Sequence, residues 1–96
     1  MPDASGSPRI ATVDVVYLAR LREAFGTTGE ALALPSLPLV TVADVLAQLR
    51  SRGGVWAAEL AHGRAVRIAI NHSMVALDAP VRAGDEFAVL PPVTGG

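Results

Sequence analysis

A single stretch in the middle of the chain has the spacing of a long amphipathic helix. Thr41 can cap it, Asp44 stands three residues on in capping-box spacing, and Val42, Val45, Leu46 and Leu49 form an apolar stripe. Gly53-Gly54 ends it. One such stripe needs one apolar surface to cover, and the segments on either side are written mostly at strand spacing. That combination predicts an α+β domain in which a sheet is covered on one face by helix.

From Ile10 to Ala19 the chain is β-branched and apolar, with Val13, Val15 and Tyr17 on one face and Val16 and Leu18 on the other. Arg20–Phe25 has helical composition and stops at Gly26, and Glu30–Leu34 reads as a short strand closed off by Pro35 and Pro38. After the main helix, Val55–Ala61 reads as a second short helix carrying Trp56 and Leu60, with Gly63 near its end. Val66, Ile68 and Ile70 alternate with Arg67, Ala69 and Asn71, as a half-buried strand requires. Asn71-His72 is a tight turn, Met74–Leu77 the returning strand, Pro80 and Gly84-Asp85 mark turns, and Glu86–Leu90 is the last strand.

The chain of 96 residues has no composition break and half of it is apolar, which fits one domain. The polar, Pro-, Gly- and Ser-rich residues 1–9 read as a disordered extension, 10–90 as the folded domain and 91–96 as an extended tail. Net charge is −1 with scattered basic residues, so no nucleic-acid footprint is expected. No run reaches membrane-spanning length and the start lacks a signal-peptide layout, so a cytoplasmic protein is expected. Cysteine is absent, which removes disulfides, thiolate nucleophiles and cysteine metal sites. Any sulfur acting here would have to be added covalently. Lysine is absent too, excluding Schiff-base chemistry and a P-loop lysine.

His62 and His72 lie too far apart for a local metal signature, so no metal is expected. His72-Ser73 lacks nucleophile-elbow spacing, Gly26-Thr27-Thr28-Gly29 is too short for a phosphate loop, and Trp56 reads as core. Asp78, Asp85 and Glu86 sit in or beside turns, where solvated acids are ordinary; Asp85 and Glu86 could also pair with basic residues of a partner.

The C-terminal six residues, Pro91-Pro92-Val93-Thr94-Gly95-Gly96, remain. Two prolines fix φ and lack amide donors, so they end the last strand and leave it as a stiff spacer. Six extended residues reach about 20 Å, deep enough to enter another protein's pocket. Gly95 and Gly96 have no Cβ, so a narrow channel admits them, and the terminal carboxylate arrives at its floor. A free carboxylate is a poor acyl donor; it needs activation by a second enzyme, typically as an acyl-adenylate made from ATP.

The stretch Gly84-Asp85-Glu86-Phe87-Ala88-Val89-Leu90-Pro91-Pro92-Val93-Thr94-Gly95-Gly96 closely resembles the C-terminus of the molybdopterin synthase small-subunit family, one of the ubiquitin-like sulfur carriers. Tyr17-Leu18-Ala19-Arg20-Leu21-Arg22-Glu23 with Phe25-Gly26 looks like that family's first strand and helix, and Ala69-Ile70-Asn71-His72 with Met74-Val75 like its central hairpin. Val89-Leu90 stands where many relatives have aromatics. The resemblance spans about Val13 to Gly96. It implies a ubiquitin-like β-grasp fold with the first and last strands side by side in the centre of the sheet. It further implies a non-catalytic subunit binding no cofactor of its own. Gly96 would be adenylated by an activating enzyme that uses ATP, then converted by a sulfurtransferase to a 1-thioglycine. Its sulfur would pass to a pterin precursor held on a large subunit, within a heterotetramer of two small and two large subunits.

Strand alternation adds an expectation about docking. With Val15, Tyr17, Val75, Leu77, Phe87 and Val89 facing the helix, Leu18, Met74, Ala76, Ala88 and Leu90 fall on the opposite, nominally wet face. An apolar patch there marks an interaction surface, and Leu18, Met74 and Leu90 are its expected contacts. Diglycine carriers for thiamine, cysteine or tRNA thiolation, a ubiquitin-like modifier and an inert binding module are the alternatives; Pro-Pro-Val-Thr favours the pterin route.

Overall fold

The computed structural model describes residues 11–62 and 65–92. The expected extension 1–9, Ile10, Gly63 and the tail residues Val93, Thr94, Gly95 and Gly96 lie outside the described residues. In chain order the elements are β1 (Thr12–Tyr17), α1 (Arg20–Phe25), β2 (Gly29–Ala33), α2 (Val42–Arg50), α3 (Gly54–Glu59), β3 (Arg67–Ile70), β4 (Ser73–Val75) and β5 (Glu86–Leu90). The five strands form one sheet in the order β2-β1-β5-β3-β4. β1 and β5 run parallel, with Val15 opposite Phe87 and Tyr17 opposite Val89, while the other neighbours are antiparallel. This is the β-grasp arrangement, with first and last strands adjacent in the middle. A parallel pair cannot be closed by a tight turn, so everything between β1 and β5 serves as their connection.

One face of the sheet carries the core. Val13, Val15 and Tyr17 of β1, Ile68 of β3, and Phe87 and Val89 of β5 pack on Leu21 of α1, Leu60, and Val42, Val45, Leu46 and Leu49 of α2, all buried. The α2 stripe is therefore the cover the sequence implies. Its start is held by a complete capping box: Thr41 N–H donates to Asp44 Oδ2 at 2.9 Å, and Asp44 N–H donates to Thr41 Oγ1 at 3.4 Å.

That helix start also corrects the expected fourth strand. Val42 N–H and Ala43 N–H donate to the carbonyls of Ala79 (3.0 Å) and Leu77 (2.9 Å), and Val81 N–H donates to Val40 O (2.8 Å). Initial helical N–H groups have no partner inside the helix, and here the chain leaves the sheet after Val75 to supply acceptors. β4 thus stops at Val75 instead of Leu77, and Leu77, expected to face the helix, is 59% exposed. Smaller shifts follow local geometry. β1 ends at Tyr17 instead of Ala19, which adopts φ 54° and turns the chain, β2 starts and ends one residue earlier than expected, and α3 begins at Gly54 and stops at Glu59. Gly29 lies so close to β1 that an added Cβ would sit 2.5 Å from Val15 O. Asn71 and His72 both have positive φ (51° and 74°) between the paired Ile70 and Ser73, as a two-residue primed hairpin turn demands.

On the helix side, Tyr17 OH donates to Glu30 Oε2 at 2.7 Å and Arg52 grips both oxygens of Glu30 at 2.8 and 2.6 Å. Arg52 also lies 4.5 Å over the Trp56 ring, which stacks on Phe25 at 3.9 Å. Hydrogen bonds from Arg52 hold the Glu30 carboxyl below its ordinary range, while burial, reinforced by Glu30, pushes the Tyr17 hydroxyl up. A carboxyl depressed in the folded state stabilises above its unfolded pKa of about 4.3, and that contribution disappears as pH falls through the folded value. Glu30→Gln is therefore expected to lower the thermal midpoint at neutral pH, with the difference from wild type shrinking below about pH 4. A midpoint difference constant across that range would refute the linkage.

Candidate functional site

β5 carries the tail, and its position fixes where the tail begins. It is bonded on both sides, by β1 and β3, and its inward residues Phe87 and Val89 are fully buried. Its ladder ends where Leu90 pairs with Arg67. Pro91 follows and, having no N–H, cannot extend the ladder as a donor; Pro91 and Pro92 are both partly buried. Leu18 N–H donates to Val89 O at 3.1 Å, which sets Leu18 alongside the end of β5. The tail root is thus a rigid central strand.

The sheet face away from α2 is apolar across its middle. Val16 of β1, Ala88 of β5, Ala69 of β3 and Met74 of β4 are successive register partners and form one row. Of the three residues expected as contacts, Leu18 and Leu90 come together beside Pro91 and are partly buried. Met74 is 51% exposed on the edge strand β4, three strand spacings from β1, or roughly 14 Å. Ala88 lies on the expected face but is only 7% exposed, and Ala69 8%: in the centre of a sheet a methyl group is shielded by longer neighbours on each side. Ala76, just beyond β4, is exposed. Arg67, Met74, Ala76 and Leu77 line a shallow depression of about 770 Å³ at the open end of the β3–β4 hairpin.

Reasoning from sequence did not select Val16 and Ala69 as patch members, nor Arg67 as the charge bordering it. Strand parity held the signal for the first two. The pairing of Arg67 with Leu90 depends on register between strands far apart in sequence. Among the described residues no group of three or more His, Cys, Asp or Glu could hold a metal ion, and no helix is long and apolar enough to cross a membrane. His72 Nδ1 lies 3.8 Å from Glu86 Oε2 on the surface, and His62 is exposed.

The protein is 36% identical over 84 residues to the molybdopterin synthase sulfur carrier subunit of Haemophilus influenzae, spanning 88% of this chain and 99% of that one. Among solved structures it is similar to a Pyrococcus furiosus protein assigned as molybdopterin converting factor subunit 1 (27% identity, TM-score 0.70, 86% and 99% of the two chains). It is also similar to the SAMP1 protein of Haloferax volcanii (25% identity, TM-score 0.68, 88% and 99%). The family model of the ThiS family matches residues 15–96, which take in the last three residues of β1, all of β5, the apolar outer face and the tail. The chain belongs to the ThiS family.

Proposed function

We propose that the protein is a sulfur carrier for molybdenum-cofactor biosynthesis, acting as the small subunit of a molybdopterin synthase. The observation that carries the reading is the placement of Pro91-Pro92 at the end of a buried central strand, directly before Val93-Thr94-Gly95-Gly96, in a chain similar along most of its length to a known carrier subunit. An activating enzyme transfers AMP from ATP to the Gly96 carboxylate and releases pyrophosphate. The terminal sulfur of a sulfurtransferase persulfide then displaces AMP to form an acyl disulfide, and a second thiol cleaves its S–S bond as a disulfide with the sulfurtransferase, leaving a thiocarboxylate, the 1-thioglycine form of Gly96. Pro91, Pro92, Val93, Thr94 and Gly95 thread the active site of the large subunit, which supplies the catalytic acids and bases. The thiocarboxylate sulfur attacks a carbon of the pterin precursor and displaces an oxygen substituent from it, and water then hydrolyses the resulting thioester, which leaves the sulfur on the pterin and restores the Gly96 carboxylate. Two transfers, from two carriers in a heterotetramer, build the dithiolene. Leu18, Met74 and Leu90, with Val16 and Ala69, form the docking face for the large subunit.

The similarity to SAMP1 proteins, described as small archaeal modifier proteins, supports a second reading, in which the tail forms isopeptide bonds with target lysines. One experiment separates the two. The chain is incubated with ATP, the activating enzyme and a sulfur source, and its C-terminal peptide is weighed. Replacement of one terminal oxygen by sulfur on Gly96 is the expected result. An unchanged carboxylate alongside higher-mass conjugates would overturn the carrier reading in favour of the modifier.

A further inference from the structure

The outer sheet face is apolar in its middle and oppositely charged at its two ends. At the tail end, Arg67 pairs in register with Leu90, is exposed, and makes no ion pair with any described residue. Asp78 lines the same depression without reaching it. On the helix side, by contrast, Arg20 and Arg52 are each paired, with Glu59 and Glu30. At the other end, Asp14 of β1 and Glu86 of β5 stand in register on adjacent parallel strands, with Asp14 exposed and the Glu86 carboxylate met, among the described residues, only by His72 at 3.8 Å. Like charges directly opposite each other on a sheet are destabilising. Neither the Arg67 charge, without an ion pair among the described residues, nor the acidic pair is explained by the described fold.

We infer that this polarity orients the large subunit on the sheet: the partner presents an apolar surface with an acidic group opposite Arg67 and a basic group opposite Asp14 and Glu86. The inference rests on the carrier reading above. Apolar contact is non-directional, so a row of Val16, Ala88, Ala69 and Met74 does not by itself distinguish a docking pose from the same pose turned end for end. Only one of the two delivers the tail into the partner's pocket. In the reversed pose like charges meet, which selects against it. The two charged ends are four strand residues apart, about 13 Å. That exceeds the screening length of about 8 Å at physiological salt, so they act as separate contacts.

The test measures binding of the full chain to its large subunit, for wild type, Arg67→Glu and Asp14→Arg, in about 50 mM and about 500 mM salt. Each variant is expected to lose at least about tenfold in affinity at low salt, and the loss to shrink to within about threefold at high salt. Asp14→Arg relieves the repulsion with Glu86, so its thermal midpoint is expected to hold or rise while binding weakens. A merely structural role would move stability and leave binding alone. Arg67→Gln keeps the stem without the charge and serves if Arg67→Glu fails to fold, with a smaller but still salt-dependent loss. Affinity within about twofold of wild type for a folded variant at either end, or a loss equal at both salts, would overturn the inference. Sulfur transfer to Gly96 is measured in parallel. A wild type that accepts sulfur and binds, with charge variants that bind equally well, overturns the orientation alone. A wild type that neither accepts sulfur nor binds the large subunit overturns the carrier reading and this inference with it.

Discussion

Deleting Gly96 is expected to abolish thiocarboxylate formation and sulfur transfer while leaving the domain folded. The core is assembled from residues between Val13 and Val89, and the ladder of β5 closes at Leu90, so the deletion removes no packing contact of the described fold. Under the proposed function, what it removes is the carbon at which the chemistry would occur. The next carboxylate, on Gly95, would stop one residue short, about 3.5 Å from the reacting position. Misplacement by even about 1 Å can cost roughly a hundredfold in rate. Gly96→Ala is the milder version, with full length and the carboxylate retained but a Cβ added beside it, and a loss of about a hundredfold or more is expected. Mass analysis of the C-terminal peptide reports the chemistry and a thermal melt reports the fold. A Gly96 deletion that still supports molybdopterin synthesis would sink the mechanism.

The largest stability effect is expected at Phe87. Its side chain is fully buried on β5 between its register partners Val15 of β1 and Ile70 of β3, so it joins the two halves of the sheet beneath α2. Truncation to alanine removes a ring's worth of burial and leaves a void the surrounding strands cannot close, a loss of about 3–5 kcal/mol. A domain of this length has roughly 5–15 kcal/mol in total, so Phe87→Ala should be marginally folded in isolation. Urea unfolding measures the loss directly; a change below about 1 kcal/mol would show that the sheet repacks around the void. The variant also bears on function, because the strand it loosens is the one that roots the tail.

Local signals were readable in the chain wherever the interacting groups are close in sequence. The Thr41–Asp44 capping box and the α2 stripe depend on residues three and four apart, and both are present as expected. The inward alternation of Val13, Val15 and Tyr17 and of Phe87 and Val89 is likewise a property of each strand alone. The expectation failed at Leu77, which follows β4 at strand spacing yet faces solvent. The reason is non-local: the unpaired N–H groups at the start of α2 take their acceptors from Leu77 and Ala79. Ala88 was placed on the correct face, but its cover comes from side chains on neighbouring strands that its own segment does not specify.

The sequence by itself determined the covalent make-up from which the tail's chemistry is proposed: two prolines that cannot extend a ladder, two glycines without Cβ, and no cysteine or lysine in the chain. It also determined which residues of each strand share a face. Periodicity could not order the strands, and the central β1–β5 pair was expected only through resemblance to a family. The tertiary structure decided that Leu18 lies beside Leu90 at the tail root, that Arg67 borders them with no ion pair to any described residue, and that Asp14 and Glu86 face the same way at the far end. These are contacts between segments distant along the chain. They exist only once the register of β1, β3 and β5 has been set by packing one apolar face against α2.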